Sequence, residues 1–208
     1  MLHYETQARN SGLRFILGVD EAGCGPLAGP VVAAAVCLRA FDFKNRIDDS
    51  KKLQPKGREA AFHEIFEKGY VGIGMIGENA IDLINILNAS HRAMEMAVRQ
   101  LVRRMPGDIV SQPSFPRQVM ILIDGNPFKC TLPYRHQAIV EGDGKSLSIA
   151  CASIVAKVYR DRILGVYDRI FPQYGFAAHK GYPTAAHRQA IKTHGSSIIH
   201  RKTFGGVL

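Results

Sequence analysis

No stretch of this 208-residue chain approaches the ~20 consecutive apolar residues that a membrane-crossing helix needs, so no membrane is expected among its partners. Residues 1–11 are polar and hold no apolar segment of the kind an export signal carries. Cysteine is scarce. Cys24, Cys37, Cys130 and Cys151 are the four present, and no two are spaced as a zinc knuckle or a redox pair requires. They read as reduced thiols, which points to a cytoplasmic protein. Internal repeats, low-complexity tracts and linker-like stretches are missing too. The expectation is one domain over residues 1–208, with a helical C-terminal region from about residue 171.

Acidic residues are in the minority, 18 against 27 Lys and Arg, which leaves a formal charge of +9. A polyanion suits that balance, and nucleic acid is the commonest one. Hydrophobic residues at 46% and charged residues at 22% exclude a disordered chain.

Short apolar runs at residues 15–19, 31–38, 70–76, 118–123 and 138–140 predict strands. The glycine-rich stretch between the first two allows a hairpin with a wide turn. Pro55 and Gly69 bracket a helix, and a second is predicted over residues 146–170, with Leu147, Cys151, Ile154, Val155 and Val158 facing inward. The longest helical signal covers residues 80–105. There Ala80, Ile84, Leu87, His91, Met94, Val98, Leu101 and Met105 form one stripe, making His91 a core residue rather than a ligand. Residues 111–116 read as a proline-rich surface loop, and residues 184–193 as a short C-terminal helix. This order predicts an α/β protein with a mixed central sheet flanked by helices and a small helical C-terminal extension.

Two of the buried strands run into acid. Val19 precedes Asp20-Glu21, and Ile123 precedes Asp124, with glycine close behind in both cases. Ligands of open α/β sheets collect at the carboxyl ends of strands. If these strands are neighbours, three carboxylates meet, repel one another, and need protons or a cation. Oxygen-only donors select hard ions such as Mg²⁺ or Mn²⁺. Side chains alternate along a strand, so Asp20 and Glu21 cannot both face one metal while the strand stays regular. Either the strand breaks at Glu21, or Glu21 contributes its backbone carbonyl as well.

The segment Gly18-Val19-Asp20-Glu21-Ala22-Gly23-Cys24-Gly25-Pro26-Leu27-Ala28-Gly29-Pro30 resembles the opening signature of bacterial ribonuclease HII. Further blocks follow in the family's order: Asp49-Ser50-Lys51-Lys52-Leu53, Leu122-Ile123-Asp124-Gly125-Asn126, Gly142-Asp143 with residues 148–161, His179-Lys180-Gly181-Tyr182-Pro183-Thr184, and His200-Arg201-Lys202-Thr203-Phe204. The resemblance implies a ribonuclease H-like fold. It also implies an endoribonuclease that hydrolyses the RNA strand of RNA–DNA hybrids and cuts 5′ to single ribonucleotides in duplex DNA. That cleavage is by two-metal-ion phosphodiester hydrolysis, giving 3′-hydroxyl and 5′-phosphate ends. It implies catalytic Asp20, Glu21, Asp124 and Asp143, and Mn²⁺ or Mg²⁺, two ions with substrate bound, on Asp20, Glu21 and Asp124. Asp161 competes with Asp143 for the fourth place, but its neighbours Arg160 and Arg162 mark it as a surface ion-pair partner.

The family meets the ribose with a Gly-Arg-Gly turn and a tyrosine, which Gly23, Gly25 and Tyr182 match. Cys24 stands where the family has arginine, and a thiol supplies neither the charge nor the forked donors. Retained cleavage is expected, with weaker binding or less preference for the ribo–deoxy junction. Lys51, Lys52 and Lys180 are candidate phosphate contacts, whereas Lys157, Arg160 and Arg162 read as the outer face of a helix. His179, His187, His194 and His200 crowd the C-terminal region without zinc spacing and read as duplex-facing surface. The protein is expected to act as a monomer on a hybrid or a ribonucleotide-containing duplex. The rival readings are another nuclease of this fold, such as a junction resolvase, and a non-catalytic hybrid-binding protein.

Overall fold

The apolar runs become strands and their punctuation becomes turns. The structure is a computed structural model that describes residues 1–125 and 130–207, so Asn126 of the third block lies outside the described residues. In chain order the elements are α1 (His3–Asn10), β1 (Phe15–Ala22), β2 (Val31–Leu38), α2 (Pro55–Lys68), β3 (Gly69–Ile76), α3 (Glu78–Ile84) and α4 (Ile86–Arg104). There follow α5 (Gly107–Val110), β4 (Val119–Asp124), β5 (Arg135–Ile139), α6 (Leu147–Ile170), α7 (Phe176–His179) and α8 (Ala185–His194). Short 3-10 turns lie at Phe115–Gln118, Gly142–Gly144 and Pro172–Tyr174.

The sheet order is β3-β2-β1-β4-β5. β3, β2 and β1 pair antiparallel, while β1, β4 and β5 run parallel. This is the mixed sheet expected, and the wide hairpin between β1 and β2 forms. Every residue of β2 is buried because the sheet is covered on both faces. Val31, Ala33, Ala35 and Cys37 pack with the α4 side chains Ala93, Ala97 and Leu101. Ala34, Val36 and Leu38 pack on the other face with Ile65 of α2 and Ile154 and Val155 of α6. The period of two along the strand thus divides its residues between two cores. α6 lies close on β1 because Gly18 has no side chain: a Cβ there would come within 2.0 Å of the Ser148 carbonyl carbon.

One expectation is corrected. The stripe over residues 80–105 is not one helix, because Asn85 takes a left-handed conformation, φ 65°, and separates α3 from α4. Asn85 Oδ1 accepts the Asn88 N–H at 3.0 Å and starts α4 afresh. At the start of α4 Leu87 is exposed and His91 only half-buried, beside Asn88, Arg92 and Glu95 at the edge of an open groove, while Met94, Val98 and Leu101 of the same stripe are buried. His91 is therefore not a core residue. Residues 111–116 are also less loop-like than expected, since Phe115 is buried and starts a 3-10 turn.

α1 had no clear signal in its polar sequence, yet it carries a buried acid that organises the start of α6. Glu5 Oε1 accepts from Ser146 Oγ at 2.6 Å, Ser148 Oγ at 2.7 Å and the Ser148 N–H at 3.0 Å. A carboxylate suits this place because the first turn of a helix offers unpaired N–H groups and a positive dipole end. Ser146 itself caps α6 by accepting the Ile149 N–H. The helices and turns beyond Ile170 close a smaller core of Leu27, Leu164, Tyr174, Phe176, Ile191 and Ile199, which forms the expected C-terminal extension. Among the described residues no helix is long and apolar enough to cross a membrane.

Glu5→Ala would leave buried hydroxyl and N–H donors unpaired. It is expected to destabilise the fold by about 1–3 kcal/mol in denaturant unfolding. Unchanged stability would mean that the contact is worth nothing net.

Candidate active site

β1 and β4 pair in parallel with Val19 opposite Ile123. The next residues, Asp20 and Asp124, therefore sit side by side on neighbouring strands. Asp143 arrives from the 3-10 turn after β5, and carboxylate oxygens of Asp20, Asp124 and Asp143 lie within 4.8 Å of one another. Asp124 Oδ1 accepts the Gly142 N–H at 2.6 Å, which ties that turn to the strand end. Asp20 Oδ1 accepts the Glu21 N–H at 2.7 Å, and Ser153 of α6 adds a smaller contribution that lowers the Asp20 pKa.

The cluster is electrostatically expensive. Asp20 is only 6% exposed, and burial pushes its carboxyl well above the usual range, with the charges of Glu21 and Asp124 adding to the rise. Burial also raises Asp143, helped by Asp124 and Asp49 and opposed by Lys51. Such a group lowers its energy by holding protons or a cation. All-oxygen donors at this separation fit a hard divalent ion.

β1 stays regular through Ala22, so it does not break at Glu21. Glu21 accordingly stands outside the group of three. Its Oε1 accepts the Cys24 thiol at 3.3 Å. Burial raises its pKa, the thiol opposes, Asp124 raises it further and Lys51 opposes. Glu21 is thus bound to the site by its field. Burial and the neighbouring Glu21 push the Cys24 thiol up to about 12, making it a donor and no nucleophile.

The glycine turn is held from behind. Gly23 has φ 104°, and a Cβ there would meet Arg160 Nε at 2.2 Å, so only glycine fits. Arg201, fully buried, donates to the carbonyls of Gly23 at 2.6 Å, Cys24 at 3.1 Å and Gly29 at 2.7 Å. Arg160 donates to the carbonyls of Pro30 at 3.0 Å, Ala28 at 3.0 Å and Lys180 at 2.9 Å. It is 1% exposed, so the expectation that it lies on the outer face of its helix is wrong: the long side chain turns inward to these carbonyls. The two arginines join the turn to the segment carrying Tyr182. A Cβ on Gly25 would lie 3.7 Å from Tyr182 Cε1, so the exposed tyrosine ring stands against the turn.

The remaining candidates divide. Lys51 lines an open cleft of about 590 Å³ with Asp49, Asp124, Asp143 and Lys145. Lys52 pairs with Asp48 at 3.6 Å. Lys180 lines a different groove, with Arg58, Lys157 and Arg162. Asp161 pairs with Lys157 at 2.8 Å, as its helical setting predicted. His187 and His200 are buried, 0% and 1% exposed, and not duplex-facing surface: their rings bond to each other and to backbone. Sequence reasoning missed Asp49, Ser153, Arg160 and Arg201 as neighbours of the site. Their only signal was membership of the motif blocks.

The ribonuclease HII family profile matches residues 17–206. The chain is 48% identical over 195 residues to a ribonuclease HII from Magnetococcus marinus, covering 94% of this chain and 86% of the relative. It is 49% identical over 205 residues to one from Ruminiclostridium cellulolyticum, covering 98% and 75%. Among solved structures, the PCNA:RNase HII complex from Archaeoglobus fulgidus contains a chain that superposes with a TM-score of 0.71 at 22% identity, covering 92% and 95%. That likeness bears on the fold alone.

The raised acids set a pH dependence. Their pKa values lie higher in the folded than in the unfolded chain. Their stabilising share is therefore complete below the ordinary carboxylate range and is lost as pH rises through the raised values. Without metal, Asp20→Asn is expected to raise the unfolding midpoint at pH 7.5, on the order of 1.4 kcal/mol for each pKa unit removed. The advantage should shrink toward pH 4. A variant less stable than the parent at pH 7.5 would show that the carboxylate repulsion is not felt.

Proposed function

The chain belongs to the ribonuclease HII family of ribonuclease H endonucleases, and from that premise we propose that it cuts RNA–DNA hybrids and cleaves 5′ to single ribonucleotides in duplex DNA, leaving 3′-hydroxyl and 5′-phosphate ends. The observation that carries the reading is the meeting of Asp20, Asp124 and Asp143 within 4.8 Å. These three, with Glu21, would hold Mn²⁺ or Mg²⁺, two ions once substrate is present. Divalent ions in such a site lower the pKa of water and neutralise charge on the departing oxygen.

The protein's own groups do the rest. Desolvation of Asp20 and Glu21 disfavours their bare charge, so a cation that replaces the lost water would be held firmly. The Cys24 thiol orients Glu21, and the Gly142 N–H orients Asp124. Lys51 faces the acids across the cleft and is suited to a backbone phosphate. Gly23 and Gly25 let the backbone approach the ribose, where a 2′-hydroxyl distinguishes RNA from DNA. Tyr182, beside Gly25, supplies an exposed ring for the sugar of the next, deoxy nucleotide. Lys180 is suited to phosphates further along the duplex, where its groove gathers positive charge. Unpaired cysteines fit a reducing, cytoplasmic setting, and residues 1–208 are read as one catalytic domain acting as a monomer.

The test is a labelled DNA duplex carrying one ribonucleotide, incubated with Mn²⁺ or Mg²⁺. One cut 5′ to the ribonucleotide is expected, and Asp124→Asn should slow it on the order of a thousand-fold. Binding without turnover when metal follows EDTA would favour a non-catalytic binder. Cutting of an all-DNA branched junction instead would favour a resolvase. Cys24→Arg is expected to tighten duplex binding about ten-fold and to sharpen junction preference. Unaltered affinity and preference would sink the role given to position 24.

A further inference from the structure

Three buried or half-buried histidines surround the backbone of Tyr182, and their hydrogen bonds leave each ring only one tautomer. The Ser197 N–H donates to His200 Nδ1 at 2.9 Å, so that nitrogen is bare and Nε2 carries the proton of the neutral ring. His187 Nδ1 lies 2.9 Å from the Tyr182 carbonyl, an acceptor only, so the proton is on Nδ1 and Nε2 is bare. The two Nε2 atoms, 3.1 Å apart, are then a matched donor and acceptor. His179 follows the same logic: Nδ1 accepts the Gly181 N–H at 3.1 Å, and Nε2 donates to the Tyr174 carbonyl at 2.7 Å. Its ring stacks on His187 with centroids 4.2 Å apart.

We propose that His187 and His200, with His179, are positioning residues for Tyr182, which fix its backbone through a one-way chain of hydrogen bonds beginning at Ser197. The inference rests on Tyr182 being a sugar contact, as proposed above. Among the described residues no hydrogen bond holds the phenol itself, and the residue is 42% exposed. Its hydrogen bonds are all made by its backbone, which sets where the ring can stand beside Gly25. Tyr182 N–H donates to the His179 carbonyl at 2.9 Å, and its own carbonyl accepts from His187 and from the Thr184 N–H at 2.8 Å. The two preceding residues, Lys180 and Gly181, both have positive φ, a turn that needs such pinning.

The chain has no place for an extra proton. A second proton on His187 would set two N–H donors against each other across 3.1 Å. The groups facing His187 are His179, His200, Phe176 and the cationic Arg188, and those facing His200 are His179, His187, Tyr174, Phe176 and Ser197. No carboxylate is among them to support a charge. Burial, together with these neighbours, accordingly lowers both rings, His200 to about 4.

The test compares kcat/KM on a single-ribonucleotide duplex for His187→Leu, which removes the donor, and His187→Asn, whose amide can donate in its place. The leucine variant should lose roughly ten-fold and the asparagine variant should recover most of that loss. In a Tyr182→Ala background, His187→Leu should cost no more than about two-fold further, because it acts through Tyr182. Equal losses in both backgrounds, or no rescue by asparagine, would overturn the inference alone. A Tyr182→Ala enzyme as active as the parent would overturn the role of Tyr182, and this inference with it. Should the leucine variant fail to fold, nitrogen NMR of the parent decides: Nδ1–H on His187 and Nε2–H on His200 are expected, and either opposite tautomer refutes the chain.

Discussion

The desolvation and mutual repulsion of carboxylates gathered at one sheet edge are the constraint around which this protein is built. Asp20 and Asp124 leave adjacent parallel strands side by side, and Asp143 is brought to them by a turn whose N–H is bound by Asp124. Left alone, such acids would push the strand ends apart. Opposing that are a sheet packed on both faces and a helix drawn onto β1 at Gly18. The hydrophobic cores thus hold a charge arrangement that the site cannot hold unaided. This matches the general pattern in which strain and unfavourable charge gather where function is performed.

A second unfavourable placement lies behind the glycine turn. Arg160 and Arg201 are buried with no carboxylate among the described residues bonded to either, and backbone carbonyls take the role of solvent. Burial and the nearby Arg160 lower Arg201 to about 10, far enough to show its cost but still charged at neutral pH. Guanidinium suits this work because its donors fan out in one plane and can meet several carbonyls at once. The result couples three segments distant in sequence: the turn after β1, the Lys180 loop and the segment carrying Arg201.

Much of this was legible beforehand. The strands carry their own period, and acids closing two apolar runs pointed to one sheet edge before any pairing was known. Asp143 followed from its place in a motif. What could not be read depended on direction. Arg160 sits in a helix at a position that looks solvent-facing, yet its length lets it turn under the glycine loop. His187 and His200 are polar in sequence but become buried because they satisfy each other. Asn85 divided a convincing apolar stripe because one residue with positive φ ends a helix and lets another begin, and no periodicity records that. Glu5 was invisible because a lone acid in a polar helix gives no sign that two serines, Ser146 and Ser148, await it across the fold.

The pairing of β1 with β4 joins parts of the chain that are farther apart in sequence than any other neighbours in the sheet. While the protein is being synthesised, the β1–β2–β3 meander and α4 can assemble before β4 has left the ribosome. A nascent chain at that stage has an open sheet edge at β1 and a single strand-end pair of acids. It has neither the full charge repulsion nor a complete ion-binding set. The three-carboxylate set is therefore completed late in the birth of the molecule, after the apolar layers able to withstand the charge are in place.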